Sequence, residues 1–304
     1  MSVLKNISLS RKLLLMLLFP MVGFLWLAGL FVADNARTLR MRDDTVQASA
    51  VAQQISQLIT ALQRERGASG VYIGSRGASM KNRLPLMRAD TDQAVSLLAG
   101  PRGTEDESLA RLMALLGELQ AIRSQVDSFA ITNVQSGARY TEIIKAFIGY
   151  THSLEAGVEA VELARQLGSL NQLIELKERA GRERAMLGVV FNQDRFDAAL
   201  LAGFSRNLGE TSAYLETFRR TAAPEFVRQL DAALQQPIAQ EVARLQQLAF
   251  SVALGEPLGV RGEEWFEKAT ARIDLIGKVG DDLAAAAAHG CRRGSRSTRG
   301  PLRG

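Results

Sequence analysis

The sequence predicts an all-α protein, built as two related up-down four-helix bundles that follow an N-terminal transmembrane helix. Alanine and leucine are abundant, whereas the 304 residues include only 7 prolines and 6% aromatic residues, a composition that suits long helices. Apolar residues recur with helical spacing, and no long window alternates as a strand would. A nine-residue motif also occurs twice, on the first helix of each predicted set of four.

The first predicted element is an apolar run over residues 13–33, which contains Pro20 and no charged residue. As a helix, this run would span roughly 30 Å, the hydrocarbon thickness of a bilayer. Phe31 and Asp34 do not fit the small residues of a secretory cleavage site, so an uncleaved anchor is predicted. Residues 1–12 would form a cytoplasmic tail and the bulk of the chain would lie outside, because long segments translocate largely regardless of charge.

The region over residues 34–288 is predicted to form two sets of four helices, at about 35–167 and 169–288. Turn-forming residues separate the helices of the first set, with Gly137 as its last break. The first set comprises helices at about 34–73, 80–99, 104–133 and 138–167. The second set begins after Gly168-Ser169 and comprises helices at about 170–192, 196–220, 224–253 and 262–288.

The last residues, 289–304, carry five arginines and no acid, which accounts for the whole net charge of +5. The basic composition is therefore not interpreted as a nucleic-acid signature. This tail lacks apolar periodicity and is predicted to be disordered, with its abrupt composition indicating a lost reading frame. It holds the single cysteine, Cys291, so no disulfide framework is predicted. With only His152 and His289 besides, the sequence does not support a zinc site or Cys–His catalysis.

The repeated motif places two arginines on apolar helix faces. The first copy, from Gln63 to Val71, contains Arg-Glu-Arg, which recurs 118 residues later and is again followed by Gly-Val. Helical spacing puts Arg66 on one face with Gly70, and Arg184 on one face with Gly188. An unpaired buried charge costs several kcal/mol, so each inward arginine needs an acidic partner or a ligand.

Both kinds of partner are considered. Buried arginines usually pair with an acid on a neighbouring helix. Two arginines on equivalent inward positions, each beside a glycine that leaves space, favour instead a small planar oxyanion, which suits the guanidinium fork. Arg272 shares an apolar face with Trp265 and Ala269 and is a third candidate, for which the structural and functional interpretations are about equal.

Four separated motifs resemble the nitrate- and nitrite-sensing domain of bacterial receptors, over about residues 50–280. In chain order they are Gln63-x-Glu65-Arg66-Gly67-x-Ser69, Tyr140-Thr141-Glu142-Ile143-Ile144, Lys177 to Ala185, and Trp265-Phe266 before Thr270-x-Arg272-Ile273-Asp274. Members of that family are all-helical, with paired four-helix bundles, in chemoreceptors, sensor kinases or soluble antitermination regulators. The resemblance implies that Arg66, Arg184 and Arg272 contact the anion. Gly70, Gly188 and Ser69 would support them.

The function predicted from this resemblance is the ligand-binding sensor of a methyl-accepting chemotaxis receptor in the inner membrane, with the sensor in the periplasm. Nitrate or nitrite would bind the inward arginines and pass a helix shift to a cytoplasmic signalling domain that this sequence lacks. The expected partners are a second copy of the chain, through the long first helix, and cytoplasmic chemotaxis or kinase proteins if a C-terminal half exists. No nucleic acid is expected.

Other classes of protein are weighed against the sensor. An anchored helical scaffold, or a sensor of a different small ligand, would make the arginines structural. An enzyme is not predicted. Glu65 and Glu183 each have an arginine on both sides, and no nucleophile, metal cluster or phosphate loop accompanies them in the sequence. No catalytic residue, metal or cofactor is therefore expected. A soluble regulator that binds RNA is disfavoured by the apolar run at 13–33.

Overall fold

The structure, a computed structural model, describes the backbone of residues 9–99, 107–158 and 161–297. All regular elements in these ranges are helices and none is a strand, so the predicted all-α class is confirmed. The helices are α1 (Leu9–Gly74), α2 (Leu84–Leu98), α3 (Glu107–Leu115), α4 (Glu118–Asp127), α5 (Asn133–Ala156), α6 (Val161–Asn192), α7 (Ala198–Thr221), α8 (Pro224–Leu234), α9 (Pro237–Ser251) and α10 (Gly262–Ser297). The chain divides into an N-terminal unit, Met1–Val46, and a C-terminal unit, Gln47–Gly304.

In the N-terminal unit, the structure does not support the predicted transmembrane helix at 13–33. None of the helices is both long and apolar enough to cross a membrane, as far as the described residues extend. A span needs about 20 consecutive, predominantly apolar residues. The side chains described in this region are those of Leu18 and of residues 20–36, a stretch that already reaches Asp34. The side chains of residues 9–17 and 19, and residues 1–8 entirely, lie outside the part of the chain that the structure describes.

The C-terminal unit begins within α1, which becomes amphipathic there. Ile55, Leu58, Ile59 and Leu62 are at most 1% exposed, and their spacing forms the apolar stripe of a helix that packs on one side. Glu65, Arg66 and Ser69 continue the same stripe at the next turn and are also buried. The stripe therefore changes from apolar to polar at the start of the repeated motif.

Several predicted helix boundaries differ from the observed ones. Gly137 lies inside α5, because that helix begins upstream at a capping box in which Thr132 and Gln135 satisfy each other's backbone N–H groups. Gly168 lies inside α6, where a Cβ atom would stand 2.7 Å from Oε1 of Glu155. This glycine permits a close approach to α5. The predicted helix at 224–253 is divided, because Pro237 starts α9 at a position where its missing N–H is tolerated.

Two clusters of buried apolar side chains form the interior of the C-terminal unit. The first draws on helices from both halves of the sequence, including α1, α5 and the N-terminal part of α6 up to Leu176. The second is smaller and draws on α6 from Leu187 onward, with α7, α9 and the start of α10. Helices α6 and α10 therefore contribute to both clusters. The boundary between the predicted sets at Gly168-Ser169 does not separate the two clusters.

The predicted disordered tail, 289–304, falls partly outside the described residues. Helix α10 extends to Ser297, and residues 298–304 are not described.

Candidate functional site

A buried polar layer lies where α6 passes from the first apolar cluster to the second. Leu176 belongs to the first cluster and Leu187 to the second, and the residues between them include Lys177, Glu178, Glu183 and Arg184, all at most 4% exposed. The motif on α1 and the segment around Thr270 on α10 meet this stretch through hydrogen bonds. The sequence thus places an unusual density of buried charge between two apolar cores.

Both motif glutamates are held by arginines from other helices. Glu65 accepts hydrogen bonds from Nε and Nη2 of Arg123 at 2.7 and 2.9 Å, and from the hydroxyl of Tyr140 at 2.7 Å. Burial, followed by the charge of Glu65, raises the pKa of Tyr140, which keeps its proton. Glu183 pairs with Arg272 at 3.0 Å and accepts a hydrogen bond from the amide of Gln246. These contacts agree with the prediction that both glutamates are salt-bridged, and their non-catalytic role stays a prediction.

Arg66 has an acidic partner, Glu178 of α6. Nη1 and Nη2 of Arg66 donate to the two carboxylate oxygens of Glu178 at 2.9 and 3.2 Å, and Nη1 also donates to the hydroxyl of Thr141 at 2.7 Å. Glu178 is fully buried. Burial alone would raise its pKa, but the attraction of Arg66 and Arg182 outweighs burial and lowers it. For Arg66, the structure therefore realises the ion-pair interpretation.

Arg184 has neutral partners instead. Its Nη1 donates to the hydroxyl of Thr270 at 2.8 Å and its Nη2 to the carbonyl oxygen of Gln63 at 2.8 Å, while its guanidinium carbon lies 4.7 Å from the centre of the Phe266 ring. Among the described residues, no carboxylate lies within ion-pair distance of Arg184. Burial, followed by repulsion from Arg66, lowers its pKa to about 9. Its side chain is 2% exposed, and its Nε has no hydrogen-bond partner among the residues that the structure describes.

Two glycines let the motif arginines reach across between α1 and α6. A Cβ atom on Gly67 of α1 would lie 2.7 Å from Nη2 of Arg184, and one on Gly181 of α6 would lie 3.0 Å from Nη2 of Arg66. Each arginine thus extends over a glycine of the opposite helix. Sequence reasoning missed both residues, although each stands within three positions of a motif arginine.

The predicted supporting residues have other surroundings. A Cβ atom on Gly70 would meet Oδ1 of Asn133 at 2.6 Å, so this glycine makes room for α5, and the atom nearest to a Cβ on Gly188 belongs to Trp265 at 4.0 Å. Ser69 is fully buried. Their role in ligand binding stays a prediction.

The structure brings two of the three predicted ligand arginines together. Gln63 connects them, because its carbonyl oxygen accepts from Nη2 of Arg184 while its amide donates to the Glu178 carboxylate that Arg66 also contacts. Arg272 contacts Glu183 instead, two residues along α10 from the Thr270 that binds Arg184. Positions two apart do not share a helix face. Sequence reasoning missed Glu178, Thr141, Thr270 and Phe266 as contacts, although all four lie inside the motifs that carry the resemblance.

The arrangement is suited to binding a small anion. A buried guanidinium without a counter-charge is electrostatically unfavourable, and an oxyanion would restore the balance while accepting several N–H donors. Arg66 would supply a further fork only after Glu178 releases it. On Arg184 itself, the Phe266 ring lies against the guanidinium group and the Thr270 hydroxyl accepts from Nη1.

The chain belongs to the nitrate- and nitrite-sensing family, which matches residues 57–288. The part of the prediction that named this family is therefore confirmed.

Two relatives resemble this chain over most of its length. The nitrate regulatory protein of Klebsiella oxytoca is 24% identical over 242 residues, which are 76% of this chain and 60% of the relative. The chain thus spans about 60% of the length of that curated relative. The solved structure of the NasR transcription antiterminator has a TM-score of 0.76 at 22% identity, and the match covers 86% of this chain and 74% of the other. This second likeness supports the helical fold.

The comparisons correct three predictions. Neither relative is described as a chemotaxis receptor. The prediction of a single-pass inner-membrane protein with a periplasmic sensor is contradicted, because no described helix could span a membrane and the relatives are regulators. The exclusion of nucleic acid is contradicted by the likeness to a transcription antiterminator. The exclusion of nucleic acid rested on the near-neutral charge of the chain outside its tail and on the apolar run at 13–33. Neither feature rules out a likeness to such a regulator. The predicted homodimer stays a prediction.

Proposed function

We propose that this chain is the sensor of a regulatory protein and that it binds nitrate or nitrite between Arg184 and Arg66. The observation that carries the proposal is the fully buried guanidinium of Arg184, whose acceptors in the described part of the chain are both neutral. A planar oxyanion offers two or three acceptor oxygens to the planar forks of two arginines. Chloride is spherical and matches neither fork in this way.

The ligand would connect three helices. Arg66 belongs to α1, Arg184 to α6, and the contacts of Arg184 at Thr270 and Phe266 to α10. An anion that takes hydrogen bonds from both arginines would favour the helix arrangement in which the two forks converge. The relatives are a nitrate regulatory protein and a transcription antiterminator. We therefore propose that the resulting helix shift controls an output that regulates transcription.

Arg272 is the least supported of the three predicted ligand residues. Its guanidinium pairs with Glu183 at 3.0 Å, so it would have to leave a fully buried carboxylate to reach the anion. Glu65 and Glu183 are both held by arginines, and we propose a non-catalytic role for them and for the chain.

The alternative function, a helical scaffold with structural arginines, has its own support. The Arg66–Glu178 and Arg272–Glu183 pairs are the contacts that such a scaffold would contain. The scaffold gives no reason for the buried charge of Arg184, however, because a leucine or methionine there would be more stable.

Thermal unfolding with nitrate, nitrite and chloride at equal ionic strength tests the proposal. A ligand at 100 times its Kd stabilises the folded state by about 2.7 kcal/mol, so nitrate or nitrite should raise the Tm of the wild-type chain and chloride should not. Arg184→Met should fold, since it removes an unpaired buried charge, and should lose this response. Arg219→Met, at an exposed arginine paired with Asp231, should keep it. Either an unresponsive wild type or a responsive Arg184→Met would refute the proposal.

A further inference from the structure

We infer that the carboxylate of Glu178 is an internal competitor of the ligand, which holds Arg66 until an oxyanion bound at Arg184 takes Arg66 from it. The inference rests on the proposed function and adds how the same site is regulated. In this inference, Glu178 controls how tightly the site binds the oxyanion and how the contacts between α1 and α6 change on binding.

The geometry of Glu178 is that of a bound oxyanion. Its Oε1 accepts from Nη1 of Arg66 and Nε of Arg182, both at 2.9 Å, and its Oε2 accepts from Nη2 of Arg66 at 3.2 Å and from the Gln63 amide at 2.9 Å. The carboxylate thus occupies both prongs of the Arg66 fork. A second planar oxyanion cannot use that fork in the same way until Glu178 releases it.

The repeat shows that this contact is particular to one of its two halves. The repeat offset of 118 residues relates Arg66 to Arg184, and the same offset relates Thr60 to Glu178. The residue of α1 that is equivalent to Glu178 in the repeat is therefore a threonine, which has no carboxylate to offer Arg184. Each arginine does donate to a threonine hydroxyl: Arg66 donates to Thr141 and Arg184 donates to Thr270. The two halves differ in the counter-charge: among the described residues, Arg66 pairs with a carboxylate and Arg184 pairs with none.

This asymmetry sets the order of events on binding. The anion docks first on Arg184, where no carboxylate needs to be displaced. Arg66 then exchanges one anionic partner for another, so the number of paired charges in the layer does not fall. Glu178 keeps partners after it releases Arg66, because Gln63 and Arg182 remain beside its two oxygens. Arg182 is 26% exposed, so the released carboxylate can turn toward the edge of the layer.

The exchange links binding to a change between helices. The Arg66–Glu178 pair is a direct charged link between α1 and α6, and it is replaced by a link that runs through the ligand. Only the fraction of molecules in which Arg66 is free binds with the full intrinsic affinity, so the apparent Kd is raised by the inverse of that fraction.

The test is calorimetric titration of the full chain with nitrate, comparing the wild type with Glu178→Gln. A neutral amide holds a guanidinium less strongly than a carboxylate does. If Arg66 is free in fewer than about a tenth of wild-type molecules, Glu178→Gln binds nitrate at least tenfold more tightly. Glu183→Gln is the matched control, because it removes a fully buried glutamate that pairs with Arg272 and not with Arg66. It should show no gain.

A second variant guards against a folding defect. Glu178→Asp keeps the charge but shortens the reach to Arg66, so it should also bind nitrate more tightly than the wild type. The inference is overturned if the wild type binds nitrate but neither Glu178→Asp nor a folded Glu178→Gln binds it more tightly than the wild type does. The proposed function would still stand in that case. A gain of equal size in Glu183→Gln also overturns it. A wild type that binds neither nitrate nor nitrite overturns the proposed function itself.

Discussion

Arg66 and Arg184 show how one residue type can serve two electrostatic purposes at equivalent positions of a repeat. Arg66 is compensated by Glu178 within the chain, whereas the nearest acceptors of Arg184 are a hydroxyl and a carbonyl group. A buried ion pair contributes little net stability, but an uncompensated buried charge is costly. We therefore expect binding of an anion to stabilise the folded state more at Arg184 than at Arg66.

Lys177 is a second buried cation with few partners, and its effect on stability depends on pH. Its Nζ donates to the hydroxyl of Thr60, and burial lowers its pKa from 10.5 to about 8. Between these two pH values Lys177 binds more protons in the unfolded chain than in the folded chain, so its contribution to the free energy of unfolding rises with pH. We expect Lys177→Met to be more stable than the wild type below pH 8, by up to roughly 3 kcal/mol. This advantage should shrink as the pH rises from 8 to 10.5.

Denaturant unfolding of both chains from pH 6.5 to 10.5 measures this difference. Lys278→Met is the control, since Lys278 is exposed and lines the same cavity of about 480 Å³ as Lys177. A constant stability difference between Lys177→Met and the wild type across that range would show that burial does not perturb the Lys177 amine.

Helices α1 and α6 depend on glycine for their mutual approach at the site. The guanidinium groups of Arg184 and Arg66 extend over Gly67 and Gly181, where a Cβ atom would lie within 3.0 Å of a guanidinium nitrogen. Gly137 of α5 has no such role, because a Cβ atom added to it would have no described atom of another helix within 4 Å. A substitution to alanine at Gly67 therefore tests whether the Arg184 guanidinium needs the space beside this residue. At Gly137 the same substitution tests helix propensity alone.

We expect Gly67→Ala to weaken nitrate binding by displacing the Arg184 fork from Gln63 and from the anion. Gly137→Ala should leave binding unchanged and should stabilise its helix by about 0.5–1 kcal/mol, because alanine has the higher helix propensity. Titration calorimetry and thermal unfolding of both variants separate the two effects. Unchanged nitrate affinity in Gly67→Ala would mean that the Arg184 fork does not need this space.

The helices were predictable in type but less so in their boundaries. Periodicity located every long helix of the described ranges, yet the glycine rule failed at Gly137 and Gly168. A helix interior tolerates a glycine at a cost of about 1 kcal/mol when packing requires it. The capping box at Thr132 was readable from sequence. The contact of Gly168 with Glu155 was not, because it depends on how α5 and α6 pack.

The C-terminal unit joins two apolar clusters through shared helices, with the charged layer at the junction. Because α6 and α10 contribute side chains to both clusters, we expect a change of partners in the buried polar layer to alter the packing on either side. This explains why a small ligand could bias the arrangement of long helices. We therefore expect the output of the sensor to follow the contacts of α1 with α6.

Part of the candidate site followed from the sequence. Helical spacing alone indicated that Arg66 and Arg184 face inward, and the repeat indicated that they act together. Their partners could not be assigned, since Glu178 and Thr270 reach the arginines only through the packing of α1, α6 and α10. The same limit applied to Arg272, whose inward face was correctly indicated by its apolar neighbours but whose contact with Glu183 depends on tertiary structure.

The most direct measurement is a crystal structure of the chain in complex with nitrate. We predict a planar anion with oxygens about 3 Å from the guanidinium groups of Arg184 and Arg66, and a Glu178 carboxylate that no longer accepts from both prongs of Arg66. A nitrate ion bound away from Arg184, or an Arg66–Glu178 pair unchanged beside the bound ion, would contradict the account.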